Sequence, residues 1–472
     1  MNIRTRVPAA YYSWELHRGP LEGEGGRLEA GYHSLVLALV GLAVFANLPI
    51  YAYVLQPGFL PKFAYVAAFL LLLPLLLTKQ RSLGAFLLSP FALWVGLFLV
   101  LNLIHLSAFP GSGQLAGALL EDTGMQARQA AITIRIQYAV FALVLGFAVH
   151  TAASASWLRA LVLLALVLPC AVLADFILPG RLYPLETGGA VLGRAAAMYI
   201  NPTMAGEAML LVFLLACAIT PARWRGPLFV LTGVGVLATF SRSAILAWLL
   251  ICAILVLFKT LPRSAFAMAM LAVCVVVAGA GAFETYLLSR SDFDAAAGNL
   301  LARLDFFSTF SLGDDSAGER ADVLAVGWSM FLENPLFGAG AGATQFWAHR
   351  GSTHNQLLLL AAEYGILGVG MWGWMAAIVL RGRFFEEPGL QVAMAFLFVF
   401  MSMFTHQMFD SATYWFAAFA CASAGRAPRR VRKTRGVTPV SWRDSNPVPC
   451  CLPLAWSYTA PATQGREEQV ER

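Results

Sequence analysis

Long apolar runs, separated by short polar breaks, follow one another through most of this chain. Several of the runs exceed the roughly 20 residues that an α-helix needs to cross a bilayer. Hydropathy and the charge of the breaks together predict an all-α polytopic membrane protein with about twelve transmembrane helices. The predicted spans are residues 34–54, 61–78, 83–107, 131–150, 157–178, 203–220, 227–240, 243–258, 264–284, 355–380, 391–404 and 407–424.

The polar segments divide the chain into three parts. Residues 1–33 are polar, mixed in charge and rich in glycine, and we interpret them as a flexible cytoplasmic arm. Residues 34–425 form the predicted helical bundle, and residues 426–472 form a basic tail that we expect to be disordered and cytoplasmic. Within the bundle, longer polar segments predict outside loops at residues 108–130, 179–201 and 285–353. The last of these is a large loop directly before the tenth span.

The basic residues of the short loops all fall on one side when the predicted spans alternate in direction. These residues are Lys79, Arg81, Arg223, Arg225, Lys259, Arg263, Arg381 and Arg383. Cytoplasmic loops of membrane proteins carry an excess of lysine and arginine. Together with the basic tail, this pattern predicts that both termini are cytoplasmic.

Composition agrees with a membrane protein. Of the 472 residues, 59% are hydrophobic and 12% are charged, and the mean hydropathy is +0.69. Soluble domains carry about twice that charged fraction. The formal charge of +6 lies mostly in short loops and the tail, so it indicates membrane topology and not nucleic-acid binding. The seven cysteines show no spacing typical of a metal site or a disulfide framework.

Two further patterns bear on the class of protein. The predicted spans hold almost no ionisable residue near their centres, whereas ion and proton transporters usually need charges there. The glycine-alternating segment at residues 338–342 does not follow a predicted strand. We therefore interpret it as a tight turn and not as a dinucleotide-binding loop.

A histidine at the start of the tenth span is the first candidate for chemistry. Ser352 and Thr353 are good N-cap residues, and Thr353 with Gln356 fits a capping box, which would put His354 in the first turn of the helix. The positive end of the helix dipole favours a neutral imidazole and a nearby anion. Such a histidine is a candidate general base, although it could equally be a structural residue at a membrane entrance.

Arginines on the predicted outer side are the second candidates. Arg242 lies at the hinge before the eighth span, where Ser241 can cap the helix, and Arg194 precedes the helix start at Asn201 and Pro202. Helix N-termini together with arginines form a phosphate site that needs no metal. The alternative is ordinary capping with arginines that reach the interface, and it competes most seriously at Arg194.

The large outside loop contains a third arginine, Arg320, in the segment GERADVLAVGWSMFLE. This segment predicts an amphipathic helix with Leu324, Trp328 and Phe331 on one face, and it could lie at the membrane surface. Arg320 falls on that face and would point toward the same crevice as His354. Alternatively, it only pairs with neighbouring carboxylates or with lipid headgroups.

Three segments in this order resemble the O-antigen ligase and polymerase-like superfamily of bacterial envelope proteins. They are SRSA at residues 241–244, ENPLFGAGAG at residues 333–342 and HNQLLLLAAEYGILG at residues 354–368. The resemblance covers roughly residues 190–425. It implies a glycosyltransferase of the bacterial inner membrane with a large periplasmic loop and a periplasmic active site. Such enzymes take a glycan from a polyprenyl-diphosphate carrier without a metal, a nucleotide sugar or another cofactor.

The resemblance also implies roles for individual residues. Arg242 and Arg320 match arginines that bind the diphosphate and neutralise it as it leaves, and Arg194 is a weaker match to an upstream arginine. His354 matches the histidine that takes the proton from the acceptor hydroxyl. Glu363 and Tyr364 lie in a family-like stretch, and we expect them to pack the helix.

The resemblance favours an O-antigen ligase-like enzyme with lipid A-core as acceptor. The alternative with the same chemistry is a polymerase that extends another lipid-linked glycan. Two hypotheses from other classes are a lipid-linked glycan flippase or exporter and a non-catalytic scaffold. The flippase would need a polar route through the bundle, whereas the candidate polar groups gather at its outer face. Membrane lipids are expected partners and nucleic acid is not.

Overall fold

Helices make up all the regular structure in the part of the chain that we describe. The computed structural model describes residues 24–56, 58–108, 121–152, 156–178, 180–183, 194–199, 201–278, 315–345, 353–406, 408–410 and 412–425. Within these ranges there is no strand, which confirms the all-α fold class. The basic tail and most of the N-terminal arm lie outside the described residues.

Fifteen α-helices follow one another in the described ranges. They are α1 (Glu24–Phe45), α2 (Leu48–Leu55), α3 (Pro61–Thr78), α4 (Gln80–Leu87), α5 (Pro90–Ala108), α6 (Glu121–His150), α7 (Leu158–Ile177), α8 (Pro202–Cys217), α9 (Ala222–Ala238), α10 (Arg242–Leu257), α11 (Arg263–Ala278), α12 (Asp315–Glu333), α13 (Gln356–Arg381), α14 (Pro388–Met401) and α15 (Thr413–Ser423). Single 3₁₀ turns stand at Ala197–Tyr199 and Ala343–Gln345.

Six of the described helices are long and apolar enough to cross a membrane, and four shorter ones are apolar along their length. The total of about twelve crossings therefore stays a prediction. Several predicted spans differ from the structure by more than a few residues. The helix of the fourth begins at Glu121, inside the predicted outside loop 108–130, and the helix of the twelfth begins only at Thr413. The first begins earlier, at Glu24, and is interrupted at Asn47, whose backbone is left-handed (φ 54°). The third is divided into α4 and α5, and proline at the first position of α5 starts a new helix.

One end of the bundle gathers the starts of α8, α10, α13 and α15. The hydroxyls of Thr203 and Ser241, at the starts of α8 and α10, are 3.1 Å apart. The Tyr414 hydroxyl, at the start of α15, donates to Glu207 of α8 at 3.1 Å. The Gln356 amide, at the start of α13, donates to the carbonyl of Ser402, which directly follows α14, at 2.7 Å. We call this end of the bundle the His354 end.

The opposite end gathers the basic residues of the short loops. Arg225, near the start of α9, donates to Glu387, just ahead of α14, at 2.7 Å. Lys79, just after α3, pairs with Glu29 of α1 at 2.6 Å. This clustering is what the positive-inside pattern predicts if that end is cytoplasmic. The side of the membrane on which each end lies remains part of our proposal.

Candidate functional site

His354 lies just outside the start of α13, not within its first turn as the sequence predicted. Asn355 is the N-cap, and its side-chain oxygen accepts the Leu358 amide at 2.9 Å. His354 directly precedes this cap, in left-handed backbone conformation (φ 48°). The predicted capping box of Thr353 and Gln356 is also wrong. Asparagine caps a helix as well as serine or aspartate does, and the Gln356 side chain is engaged elsewhere.

A second histidine contacts the first. The rings of His354 and His406 meet edge to face, with centroids 5.1 Å apart and an interplanar angle of 82°. His406 lies in the connection between α14 and α15, residues 402–412, which we call the α14–α15 connection. The sequence interpretation missed it, although a histidine at a predicted hairpin between spans was visible.

Hydrogen bonds hold this connection against the start of α13. The backbone amide of Gln356 donates to the Ser402 carbonyl, and the side-chain oxygen of Gln356 accepts the backbone amide of Met408 at 3.1 Å. Further along, Asp410 is paired with Arg135 of α6. His406 lies between these attachment points, so its backbone is fixed relative to His354.

The surroundings of His406 disfavour its protonated form. Burial, with smaller contributions from His354 and Arg135, lowers the pKa of the His406 imidazole from 6.5 to about 3. The ring is therefore neutral near pH 7, with one nitrogen as donor and the other as acceptor. Its Nδ1 atom is buried and has no hydrogen-bond partner among the described residues.

The structure brings Arg194 and Arg242 to neighbouring positions at the His354 end. The Arg194 Nε donates to the carbonyl of Thr239, three residues before Arg242, at 3.2 Å. The side chain of Asn201 caps α8 as predicted and accepts the Thr203 amide at 2.9 Å. Ser241 is the N-cap of α10 by position only, because its hydroxyl contacts Thr203 and makes no bond to the helix backbone. Two helix N-termini and two arginines thus share one region.

Arg320 lies in the predicted loop helix, which the structure confirms as α12. The Arg320 side chain is outside what the structure describes. Gly327 faces α13, since a Cβ built there would lie 3.0 Å from Leu358. Trp328 packs on Phe331 with ring centroids 5.4 Å apart, and 54% of Trp328 is exposed. Placement of that face at the membrane surface stays a prediction.

The turn that follows α12 docks onto a break in α13. Gly365 interrupts the helix, with φ 63° and ψ −145°. Around this break, the amides of Ala339 and Gly340 donate to the carbonyls of Ala362 and Glu363 at 2.8 and 3.0 Å. Irregular backbone inside a membrane bundle requires such internal partners, because lipid offers none.

Glycine is required on both sides of this contact. Gly338 has φ 73°, and a Cβ there would lie 2.2 Å from the carbonyl carbon of Glu363. A Cβ on Gly365 would lie 2.5 Å from the carbonyl carbon of Leu336. The glycine-alternating segment is therefore a tight turn, and its glycines permit backbone-to-backbone approach.

A buried ion cluster lies beneath the turn, and the sequence interpretation missed it. Arg135 of α6, only 1% exposed, binds both Glu363 of α13 and Asp410 of the α14–α15 connection. Glu363 is fully buried and also accepts the Thr344 hydroxyl at 2.7 Å. Arg135 lies near the start of the predicted fourth span, so the expectation about the span centres stays a prediction. The expectation that Glu363 only packs the helix is wrong.

Side chains of the neighbouring helices form hydrogen bonds with the backbone of the turn. Its Ala341 amide donates to the Nδ1 of His105 at 2.6 Å, and the Ala341 carbonyl accepts the Nε of Arg128 at 2.8 Å. The Tyr364 ring stacks on His105 with centroids 5.2 Å apart, and its hydroxyl donates to Asn102 at 2.9 Å. Hydrogen bonds and ring stacking therefore link the turn, α5, α6 and α13 to one another.

The described part of the chain contains no group of three histidine, cysteine or carboxylate side chains that could hold a metal ion. What the His354 end offers is two imidazoles in contact, of which that of His406 is neutral, together with two helix N-termini and the arginines near them. A helix N-terminus with arginines suits a phosphate or diphosphate, and an imidazole suits proton transfer.

Comparison with known proteins finds a family match that covers part of the chain. Residues 227–373 match the family described as O-antigen ligase. The matched segment contains Arg242, Arg320, His354 and Glu363, whereas Arg135 and the α14–α15 connection lie outside it. Among curated proteins, none matches the chain.

Proposed function

We propose that this chain, whose residues 227–373 match the family described as O-antigen ligase, is a member of the O-antigen ligase-like superfamily and a ligase that joins a glycan to lipid A-core. The broader assignment, an envelope glycosyltransferase of the ligase or polymerase type in a membrane, rests on the family match and the apolar helices. The proposed donor is a glycan on a polyprenyl-diphosphate carrier. The proposed site is the His354 end of the bundle, facing the periplasm, with both termini in the cytoplasm.

The contact between His354 and His406 is the observation that carries the proposal. It sets an imidazole just outside a helix N-terminus, where the α14–α15 connection fixes the backbone around it. Arg194 and Arg242 lie at the same end of the bundle. A base and cationic groups for a leaving diphosphate are the two requirements of this transfer.

The reaction that we propose is a displacement at the anomeric carbon. His354 takes the proton of the acceptor hydroxyl, and the oxygen forms a bond to the anomeric carbon. The bond from that carbon to the diphosphate breaks, and the diphosphate leaves with the electron pair. Attack from the side opposite the leaving group inverts the anomeric configuration.

The arginines stabilise the charge that develops on the leaving diphosphate. Arg242 begins α10, so its guanidinium and the helix N-terminus act on the same anion. Arg194 is held next to this helix start by its bond to the Thr239 carbonyl. We assign Arg320 to the same group on the family resemblance. In this proposal the protein uses no metal and no cofactor, since guanidinium groups and helix ends supply the positive charge.

Transfer by the purified protein in nanodiscs tests the proposal. A polyprenyl-diphosphate oligosaccharide is supplied with lipid A-core or with a second lipid-linked glycan, with and without a metal chelator. We expect transfer to lipid A-core that survives chelation. Lengthening of the second glycan alone would make the protein a polymerase. Carrier binding without any transfer would refute the proposed enzyme.

The variant His354→Ala should abolish transfer while carrier binding persists. Its matched control is His33→Ala, because His33 is a buried histidine near the opposite end, where its ring is hydrogen-bonded to the Ala148 carbonyl. Loss of activity in both variants would indicate a general packing defect. Full activity of His354→Ala would remove the proposed base.

A further inference from the structure

We propose that His406 is the positioning residue for the base: it orients the His354 ring by accepting a hydrogen bond from the His354 nitrogen that does not face the acceptor hydroxyl. This inference rests on the proposed function, because it assigns a role within the same site. His406 lies outside the segment that matches the family and was not among the residues expected from the sequence.

The geometry of the two rings supports this role. Their centroids are 5.1 Å apart, and a hydrogen bond of about 2.9 Å between two imidazole nitrogens requires nearly this separation. The rings now stand almost perpendicular, so rotation of one ring is needed to align an N–H with a lone pair. The backbones at each side are tied together through Gln356, so this alignment requires a change of side-chain torsion angles and no backbone movement.

An atom is available to receive the bond. The buried Nδ1 of His406 has no partner in the described part of the chain. Few buried polar atoms in proteins lack a partner, and a catalytic role is one of the explanations for those that do. When His354 becomes an imidazolium, both of its nitrogens are donors, and one of them can be directed at this Nδ1.

The charges around His406 keep it in the accepting form. The titratable and charged groups on the elements packed around it are His354 of the α13 start, Arg135 of α6, Asp410 of its own connection and Glu363 of α13. Arg135 neutralises the two carboxylates and opposes a further positive charge on His406. Burial has the same effect, so the pKa of His406 stays low and the pair carries its proton on His354.

This arrangement follows the logic of a base held by a third group. In the proposed reaction the acceptor proton moves to His354 and remains there, while His406 stays neutral throughout. The hydrogen bond from imidazolium to His406 stabilises the protonated base and fixes its direction toward the acceptor hydroxyl.

Three substitutions separate this role from simple packing. In His406→Asn, the amide oxygen takes the approximate position of Nδ1, whereas in His406→Gln it takes that of Nε2. His406→Leu keeps the volume and removes the acceptor. Each variant is assayed for transfer between a polyprenyl-diphosphate oligosaccharide and lipid A-core in nanodiscs, with kcat, donor KM and the pH dependence of kcat measured.

We expect kcat of His406→Leu to fall by about 10- to 100-fold, by analogy with the loss of groups that orient metal-binding histidines. The donor KM should stay within about two-fold, because the diphosphate site is separate. The acid limb of the pH profile should move about one unit lower, since an imidazolium without its acceptor has a lower pKa. His406→Asn should retain most of the wild-type kcat and an acid limb at the wild-type pH. His406→Gln should have a lower kcat than His406→Asn.

Several outcomes would overturn the inference. Wild-type kcat with an unchanged pH profile in His406→Leu would show that the contact has no role. Equal losses in the Asn and Leu variants, without any shift of the acid limb, would reduce His406 to packing. If His406→Leu does not fold, a kcat of His406→Gln at or above that of His406→Asn refutes the assignment to Nδ1. Failure of wild-type transfer, or activity in His354→Ala, would instead refute the proposed function.

Discussion

Removal of the Arg135 side chain should destabilise the bundle strongly, because one guanidinium neutralises two carboxylates on separate elements. Its Nη1 and Nε atoms bind Glu363 and Asp410 respectively, and Nη2 donates to Asp410 at 3.2 Å. The side chains of Arg135, Glu363 and Asp410 are 2%, 0% and 15% exposed. Breaking a buried ion pair by removing one partner costs about 3–5 kcal/mol, since the remaining charge is left uncompensated. We expect Arg135→Met to lose stability in this range.

A double-mutant cycle isolates the pair. Arg135→Met, Asp410→Asn and the double variant are unfolded in mixed micelles by increasing SDS, and tryptophan fluorescence reports the free energy of unfolding. We expect a coupling energy of about 2 kcal/mol between the two positions. The control cycle uses Lys79→Met and Glu29→Gln, whose ion pair is 25% and 35% exposed and should couple by about 0–1 kcal/mol. A coupling at Arg135 no larger than the control would refute the reasoning.

Three further predictions concern the site and the broken helix. Arg242→Lys should lower the rate of transfer at saturating donor, because an ammonium cannot replace the bidentate hydrogen bonds of a guanidinium to a diphosphate. Arg263→Lys at the opposite end is the control, and equal rates in wild type and Arg242→Lys would contradict the proposed binding of the diphosphate by Arg242. Gly365→Ala should cost about 1–3 kcal/mol or more in the same unfolding assay, because the position has φ 63° and a Cβ would collide with the backbone of Leu336. The control Gly370→Ala, in open space on the same helix, should not destabilise the protein, and equal effects of the two variants would refute the role of the break. The free energy of unfolding should fall as the pH drops below about 6.5, and His406 should contribute at most about 1.4 kcal/mol per pH unit, because the lowered pKa of His406 in the folded protein makes the unfolded state bind the proton first. His406→Asn should flatten this dependence of stability on pH, and an unaltered dependence would contradict a neutral buried ring.

Apolar periodicity and helix-start chemistry were enough to predict most of the helices. Residues 61–78 and the starts at Asn201 and Ser241 agree with the structure closely. The break at Gly365 was not predictable in this way, because apolar residues continue on both sides of it and preserve a helical pattern. The break is stabilised by the docked turn, because the backbone amides of the turn replace the hydrogen bonds that the helix loses there.

Some of the candidate residues could be selected from local sequence signals. His354, Arg194 and Arg242 could be selected because helix starts and outer arginines are readable locally. Arg135 carried a readable signal as well, since a lone arginine within an apolar span is costly without partners. Its partners were not readable, because Glu363 and Asp410 lie 228 and 275 residues further along the chain. The contact of His354 with His406 depends in the same way on tertiary structure.

The distance in sequence between Arg135 and its carboxylates has a consequence for biogenesis. Arg135 leaves the ribosome long before either partner is synthesised, and an unpaired arginine inside a bilayer costs about 2.5–3.5 kcal/mol or more. The Arg135 side chain of α6 therefore gains its two carboxylate partners only after α13 and the α14–α15 connection have been made. The glycine turn faces the same constraint, because its docking place on α13 is translated after it. Assembly of the bundle must finish late and cooperatively, so a nascent chain that stops before Asp410 should be retained by the insertion machinery or degraded.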